Sequence, residues 1–168
     1  SLLNLGTLDH AAGPNCENVV IRGKGTIASG GRELAEKIIA DEQEHLKDYL
    51  AEHAALVAEC ENERTIPGRV RPRLINMSNC RNVWVHGLTL KNGASWNQHM
   101  IYSDNITTDH CRFVSEGVWN GDGWNPDSST NCTLFACEFA TGDDAVAIKS
   151  GKNPEGNKIG RPKSGRAH

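Results

Sequence analysis

One phrase returns along this chain and limits what it can fold into. It reads "NCENVVIRG" from Asn15 to Gly23 and "NCRNVWVHGLTL" from Asn79 to Leu90. It returns as "SDNITTDHCRF" from Ser103 to Phe113 and "STNCTLFACEF" from Ser129 to Phe139. The copies align on Asn18, Asn82, Asn105 and Asn131, the last three spaced by 23 and 26 residues. Six residues beyond the Asn stand Leu88, Cys111 and Cys137, and eight beyond it Leu90, Phe113 and Phe139. Alternation of this kind marks strands. Its return every twenty-odd residues marks a solenoid.

The period fits a parallel β-helix, each coil giving short strands that stack on the next. The Leu/Cys/Cys and Leu/Phe/Phe series are then inward ladders of the core. The recurring Asn suits turns, because it tolerates a left-handed backbone and bonds to neighbouring peptide groups. The leucine spacing of a leucine-rich repeat is absent. Six cysteines (Cys16, Cys60, Cys80, Cys111, Cys132 and Cys137) include no C-x-x-C pair, so a structural zinc site has little support. An even count permits disulfides, but the repeat favours small apolar core residues.

One stretch breaks the repeat. Residues 32–63, "RELAEKIIADEQEHLKDYLAEHAALVAECENE", lack Gly and Pro. Leu34, Ile38, Ile39, Leu46, Leu50 and Val57 follow a helical stripe, and Glu33 with Lys37 forms an i,i+4 pair. A long helix, with room for an interruption, is expected as an insertion between coils, its charges on a solvated face. "TIPGRVRPR", residues 65–73, returns the chain to the solenoid.

The 168 residues suffice for one domain with a real core. A formal charge of −3 argues against nucleic acid as partner. No apolar run approaches the roughly 18 residues of a membrane span, and no signal peptide is visible. The chain opens at Ser1 and closes on "SGRAH", and residues 1–168 are read as one partial solenoid domain cut from something longer. The N-x-S/T triplets at Asn76, Asn105 and Asn131 fit the N-glycosylation pattern but fall inside repeat strands and turns, and are read as chance matches.

The chemistry-bearing residues gather late. "NGDGWNPDSS" begins at Asn120 and "TGDDAVAIKSG" at Thr141. Asp122 precedes Asp143 by 21 residues, about one coil. Equivalent positions on successive coils sit about 4.8 Å apart. Asp122 is therefore expected beside the Asp143–Asp144 pair. Like charges that close raise at least one pKa, leaving one group protonated as an acid while another stays ionised as a base. Inverting glycoside hydrolysis uses that division. Gly121, Gly123 and Gly142 also suit three solvent-exposed turn aspartates, so spacing alone leaves both readings standing.

"NGDGWNPDSSTNC", "TGDDAVAIKSGKNPEG" and "IGRP" together resemble the polygalacturonase-type glycoside hydrolases of family 28. That family's Asn-Thr-Asp motif corresponds to Asn120-Gly121-Asp122, with Gly replacing Thr, and its Gly-Asp-Asp motif to Gly142-Asp143-Asp144. Upstream, Asn92-Gly93-Ala94-Ser95-Trp96 resembles its Asn-Ser-Pro-x-Trp turn. The resemblance covers most of residues 71–162, and more loosely 2–31. It implies a right-handed parallel β-helix that hydrolyses α-1,4-galacturonide links of pectic chains with inversion, outside the cell or in the periplasm, without a cofactor or metal. Asp143 is then the general acid, with Asp122 and Asp144 positioning and deprotonating water.

A polyanionic substrate calls for cations. Lys149 is a candidate, or else an outward strand lysine. His99 either reaches the substrate or is a satisfied structural histidine. Trp96 either stacks on a sugar or packs beneath its loop. Arg69, Arg71 and Arg73 alternate and are read as a solvated outer face. The other histidines are dispersed, with no metal-like spacing. The family's Gly-His-Gly and Arg-x-Lys motifs are absent, and His168 lacks the context to be equated with the former. The segment alone is therefore expected to be inactive or to fail to fold, because its last coil would expose an uncapped edge. Two alternatives remain. In a calcium-dependent lyase, Asp122, Asp127, Asp143 and Asp144 would bind the ion. The other is a β-helix that binds glycans without catalysis.

Overall fold

The computed structural model describes residues 1–9, 11–60, 71–151 and 155–160. Four coils of three strands each are stacked in parallel. The first holds β1 (Leu3–Leu5), β2 (Cys16–Arg22) and β3 (Thr26–Ala28); the second holds β4 (Ile75–Ser78), β5 (Cys80–His86) and β6 (Thr89–Lys91). The third holds β7 (Gln98–Ile101), β8 (Asp104–Asp109) and β9 (Arg112–Val114); the fourth holds β10 (Trp124–Asp127), β11 (Thr130–Phe135) and β12 (Glu138–Ala140). Strands of like position form three sheets: β1-β4-β7-β10, β2-β5-β8-β11 and β3-β6-β9-β12. The architecture is the parallel β-helix that the repeat predicts.

The anchoring asparagines turn the chain at one corner. Asn18, Asn82, Asn105 and Asn131 have φ between 51° and 60°, in the left-handed region that Asn tolerates better than other non-glycine residues. They also bond along the stack. Asn82 Nδ2 donates to Asn18 Oδ1 at 3.0 Å, and Asn105 Nδ2 donates to Asn82 Oδ1 at 2.8 Å. Asn131 departs from this and donates to Asp104 Oδ1 at 2.7 Å.

Inside, rows run through consecutive coils. Ile27, Leu90, Phe113 and Phe139 are register partners, and the Phe113 and Phe139 rings stack at 4.8 Å with 4° between planes. Val19, Val83, Ile106 and Cys132 form a second row. All six cysteines are free thiols; Cys80, Cys111 and Cys132 are buried in the core.

The helical insertion leaves after β3 as α1 (Gly31–Glu52) and continues as α2 (Ala54–Ala58). The break falls at His53, whose N–H still bonds Tyr49 O at 3.0 Å. Leu34, Ile38, Ile39, Leu46, Leu50 and Val57 are half-buried, and Ala35 is fully buried. The Glu33–Lys37 pair closes at 2.9 Å, with both side chains largely exposed. A short α3 (Glu155–Ile159) follows the last coil, and Lys158 meets Glu59 at 2.6 Å. Despite the interruption, Cys16 pairs with Cys80 in register, so the insertion does not disturb the stack.

The aromatic row makes a test. Phe113→Ala should cost about 3–5 kcal/mol, the range for a large buried aromatic, read as a lower urea midpoint at unchanged slope.

Candidate active site

The site follows from register. Trp124 pairs with Gln98 and bridges to Val146, and Gln98 pairs with Ile75. Counting back two residues on each strand puts Arg73, Trp96, Asp122 and Asp144 on successive rungs. The backbone confirms the alignment. Leu74 N donates to Trp96 O at 3.1 Å, Asn97 N to Asp122 O at 2.8 Å, and Gly123 N to Asp144 O at 2.9 Å. The column runs along the edge where the strands of the β1-β4-β7-β10 sheet begin. Asp144, rather than Asp143, is thus the register equivalent of Asp122. Asp143 stands beside it, where Asn120 Nδ2 reaches its Oδ2 at 3.4 Å.

The glycines of the two motifs are needed for space rather than for turn geometry. None of Gly121, Gly123 and Gly142 has a positive φ. A Cβ on Gly142 would lie 2.4 Å from Val118 O, and one on Gly123 would lie 2.6 Å from both Ala145 O and the Phe139 ring. Bare backbone there lets the acidic loops approach each other. Asp143 and Asp144 are exposed, and their turn is tied by Thr141 Oγ1 donating to Asp143 O at 2.7 Å. Asp143 Oδ1 accepts from Asp144 N at 2.9 Å.

Asp122 is only 4% exposed. Burial raises its pKa above the ordinary carboxylate value; the Lys149 ammonium, 3.1 Å from Oδ2, opposes this, and the Asp143 charge adds to the rise. The expected repulsion between neighbouring carboxylates therefore appears, and it acts on Asp122. The "AVAIK" stretch extends the sheet as its next rung, with Lys149 N donating to Pro126 O at 2.8 Å. That backbone position turns the Lys149 ammonium toward Asp122, and it also lies 4.4 Å from the centre of the Trp96 ring.

Trp96 gathers the neighbouring charges. The Arg73 guanidinium lies over its ring at 4.7 Å, and His99 meets it edge-on at 4.9 Å. His99 is buried, its Nδ1 2.9 Å from Asn76 Oδ1 and its Nε2 3.5 Å from Asp127 Oδ2. Asp127 also accepts from Gly151 N at 2.7 Å and Ser128 Oγ at 3.1 Å. Burial lowers the His99 pKa to about 4, against the pull of Asp127. Asp127 lies below its ordinary value because these donors outweigh burial.

The structure thus brings Asp122, Lys149, Trp96 and His99 together and sets Asp143 and Asp144 alongside. It corrects the reading of two arginines. Arg71 and Arg73 are half-buried and engaged, not a solvated face. Arg71 donates to Ala94 O and Trp119 O, both at 2.8 Å, and to Asn120 Oδ1 at 2.5 Å, bracing the loop that carries Asp122. Arg69 lies outside the described residues, as do Arg161, Pro162 and His168. A signal for the column was present in the sequence. Arg73, Trp96 and Asp122 each stand nine residues before their repeat Asn, at 82, 105 and 131.

Fold and site together define a β-helix with a carboxylate-lined outer edge. Residues 6–160 match the family described as glycosyl hydrolases family 28, and the chain belongs to that family. It is 40% identical over 93 residues to a probable polygalacturonase of Vitis vinifera, covering 55% of this chain and 19% of that protein. It is 26% identical over 173 residues to an exo-poly-alpha-D-galacturonosidase of Dickeya chrysanthemi, covering 94% of this chain and 29% of that one. The family 28 exopolygalacturonase structure from Yersinia enterocolitica superposes with a TM-score of 0.70 at 21% identity, over 99% of this chain and 32% of that one. The chain therefore spans about a fifth to a third of these relatives.

The buried histidine sets a pH dependence. The unfolded chain takes up a proton near the ordinary histidine value of 6.5, and folded His99 does so only near 4. Its contribution is intact above about pH 6.5 and is lost as pH falls toward 4. Urea titrations across that window should show falling stability, and a flatter profile in His99→Gln.

Proposed function

We propose that the full-length protein hydrolyses α-1,4-galacturonide links of polygalacturonan or pectin with inversion, and that residues 1–168 are a β-helical domain carrying its acidic residues. The observation that supports this most is the placement of Asp122 and Asp144 on adjacent rungs with Asp143 beside them, in a chain of this family.

Asp143, exposed on its turn, gives a proton to the departing glycosidic oxygen. Asp122 and Asp144 hold the attacking water, whose proton passes to a carboxylate as oxygen bonds to the anomeric carbon. A raised pKa makes Asp122 a stronger base at the working pH, and Lys149 keeps it ionised. Lys149, half-buried beside Asp122, also offers positive charge to a uronate. Trp96 and His99 border the same subsite, His99 by holding the indole edge.

The test separates the roles. Asp143→Asn should lower kcat on oligogalacturonides by about 10²–10⁴-fold, the usual weight of general acid catalysis, yet spare substrates with an activated aryl leaving group. Asp122→Asn should lose both. Equal turnover by Asp143→Asn and the unsubstituted enzyme on oligogalacturonides would end the assignment. β-Elimination would instead give an ultraviolet-absorbing product and depend on a chelatable cation.

Lys149→Met makes a further prediction. Losing the ammonium should raise the Asp122 pKa further, moving the acidic limb of the kcat/KM profile to higher pH.

A further inference from the structure

A second cluster lies on another sheet. His86 and Asp109 are register partners on β5 and β8, with their side chains on the outer face of the β2-β5-β8-β11 sheet. His110 follows Asp109 at the corner. His86 Nδ1 stands 3.1 Å from both Asp109 oxygens, and His110 Nδ1 stands 2.8 Å from Asp109 Oδ2. One ligand atom from each of the three residues lies within 4.8 Å of the others. We propose that His86, Asp109 and His110 form a binding site for a divalent transition-metal ion of the zinc or copper class, clamping the second coil to the third.

Ligand type and spacing carry this. Two imidazoles and one carboxylate suit zinc, copper or nickel, whereas calcium and magnesium select oxygen ligands. Zinc bonds to nitrogen and oxygen are about 2.0–2.2 Å long. With the imidazole–carboxylate pairs 2.8–3.1 Å apart and all three donors within 4.8 Å, an ion can sit between them after small side-chain rotations, leaving a fourth position for water.

The surroundings hold the donors in place. Trp84, two residues before His86 on the same outer face, donates its indole Nε1–H to Asp109 Oδ1 at 2.6 Å. This fixes the carboxylate with its other oxygen toward His110. Donors behind a ligand in this way orient it and raise affinity. His110 has φ 52°, where the equivalent corner of the second coil uses Gly87 at φ 75°. The same corner of the fourth coil holds Ala136 at φ 49°, so the left-handed corner recurs and sets the direction in which the His110 side chain leaves the backbone. Phe135 backs the His110 ring edge-on at 5.8 Å.

Zinc titration of the protein by calorimetry should show one saturable site per chain. His86→Gln and His110→Gln should each remove that binding, and Trp84→Phe should weaken it about 10–100-fold, as loss of an outer-shell donor does. His45→Gln, on the helical insertion, should leave it unchanged. Zinc should raise the melting temperature of the unsubstituted protein, and millimolar calcium should not displace it. On the unsubstituted protein, zinc should slow carbethoxylation of His86 and His110 but not of His45, read by mass spectrometry. Undiminished zinc binding in His86→Gln, displacement by calcium, or equal labelling with and without zinc would overturn the proposal.

Discussion

Everything in this protein depends on coils that repeat their backbone in register at one strand spacing. A parallel ladder binds every rung to the next only if each coil turns its corners in the same way. The asparagine corner does this. Its side chain accepts a left-handed backbone, and its amide bonds the coil beside it, so one residue sets both turn and alignment. Phe113 on Phe139 and Val83 on Ile106 then follow from register, because a side chain on one coil meets the equivalent residue of the next.

The same stacking builds the acidic edge. Residues that end the loops before β4, β7, β10 and the rung that follows them line up as Arg73, Trp96, Asp122 and Asp144. A neighbour one rung away is close enough to shift a charge and far enough along the chain to be chosen independently. Asp122 is raised by burial and moderated by Lys149 from the next rung. The glycines at 123 and 142 allow this, since a methyl group at either would push the acidic loops away from the coil beneath. The packing of the coils and the placement of the acidic residues meet there, in backbone contacts that leave no room for side chains.

Legibility followed the range of the interactions. The ladder residues, the helical insertion and the nearness of Asp122 to the Asp143–Asp144 pair could all be read from local period and repeat spacing. The count of 21 residues nonetheless pointed to Asp143, while the bridge of Trp124 to Val146 aligns Asp144. The difference of one lies in the corner length, which no strand pattern encodes. Arg71 and Arg73 looked like an outward alternation. They bend instead toward Trp119, Asn120 and Trp96, partners 23 to 49 residues away. The offset of nine residues from the repeat asparagines would have exposed the column.

By itself the sequence determined the kind of wall. Its period, its alternating apolar residues and its left-handed asparagines permit stacked parallel coils, and they place three aspartates near one edge. Only the tertiary structure decided which side chains touch: Lys149 with Asp122, His99 with Asp127 and Asn76, and His86 with Asp109 and His110. The reason is geometric. Period fixes which coil a residue belongs to, but contact across coils depends on register and side-chain direction. Those are set by the lengths of the corners and by what each side chain finds on the neighbouring rung.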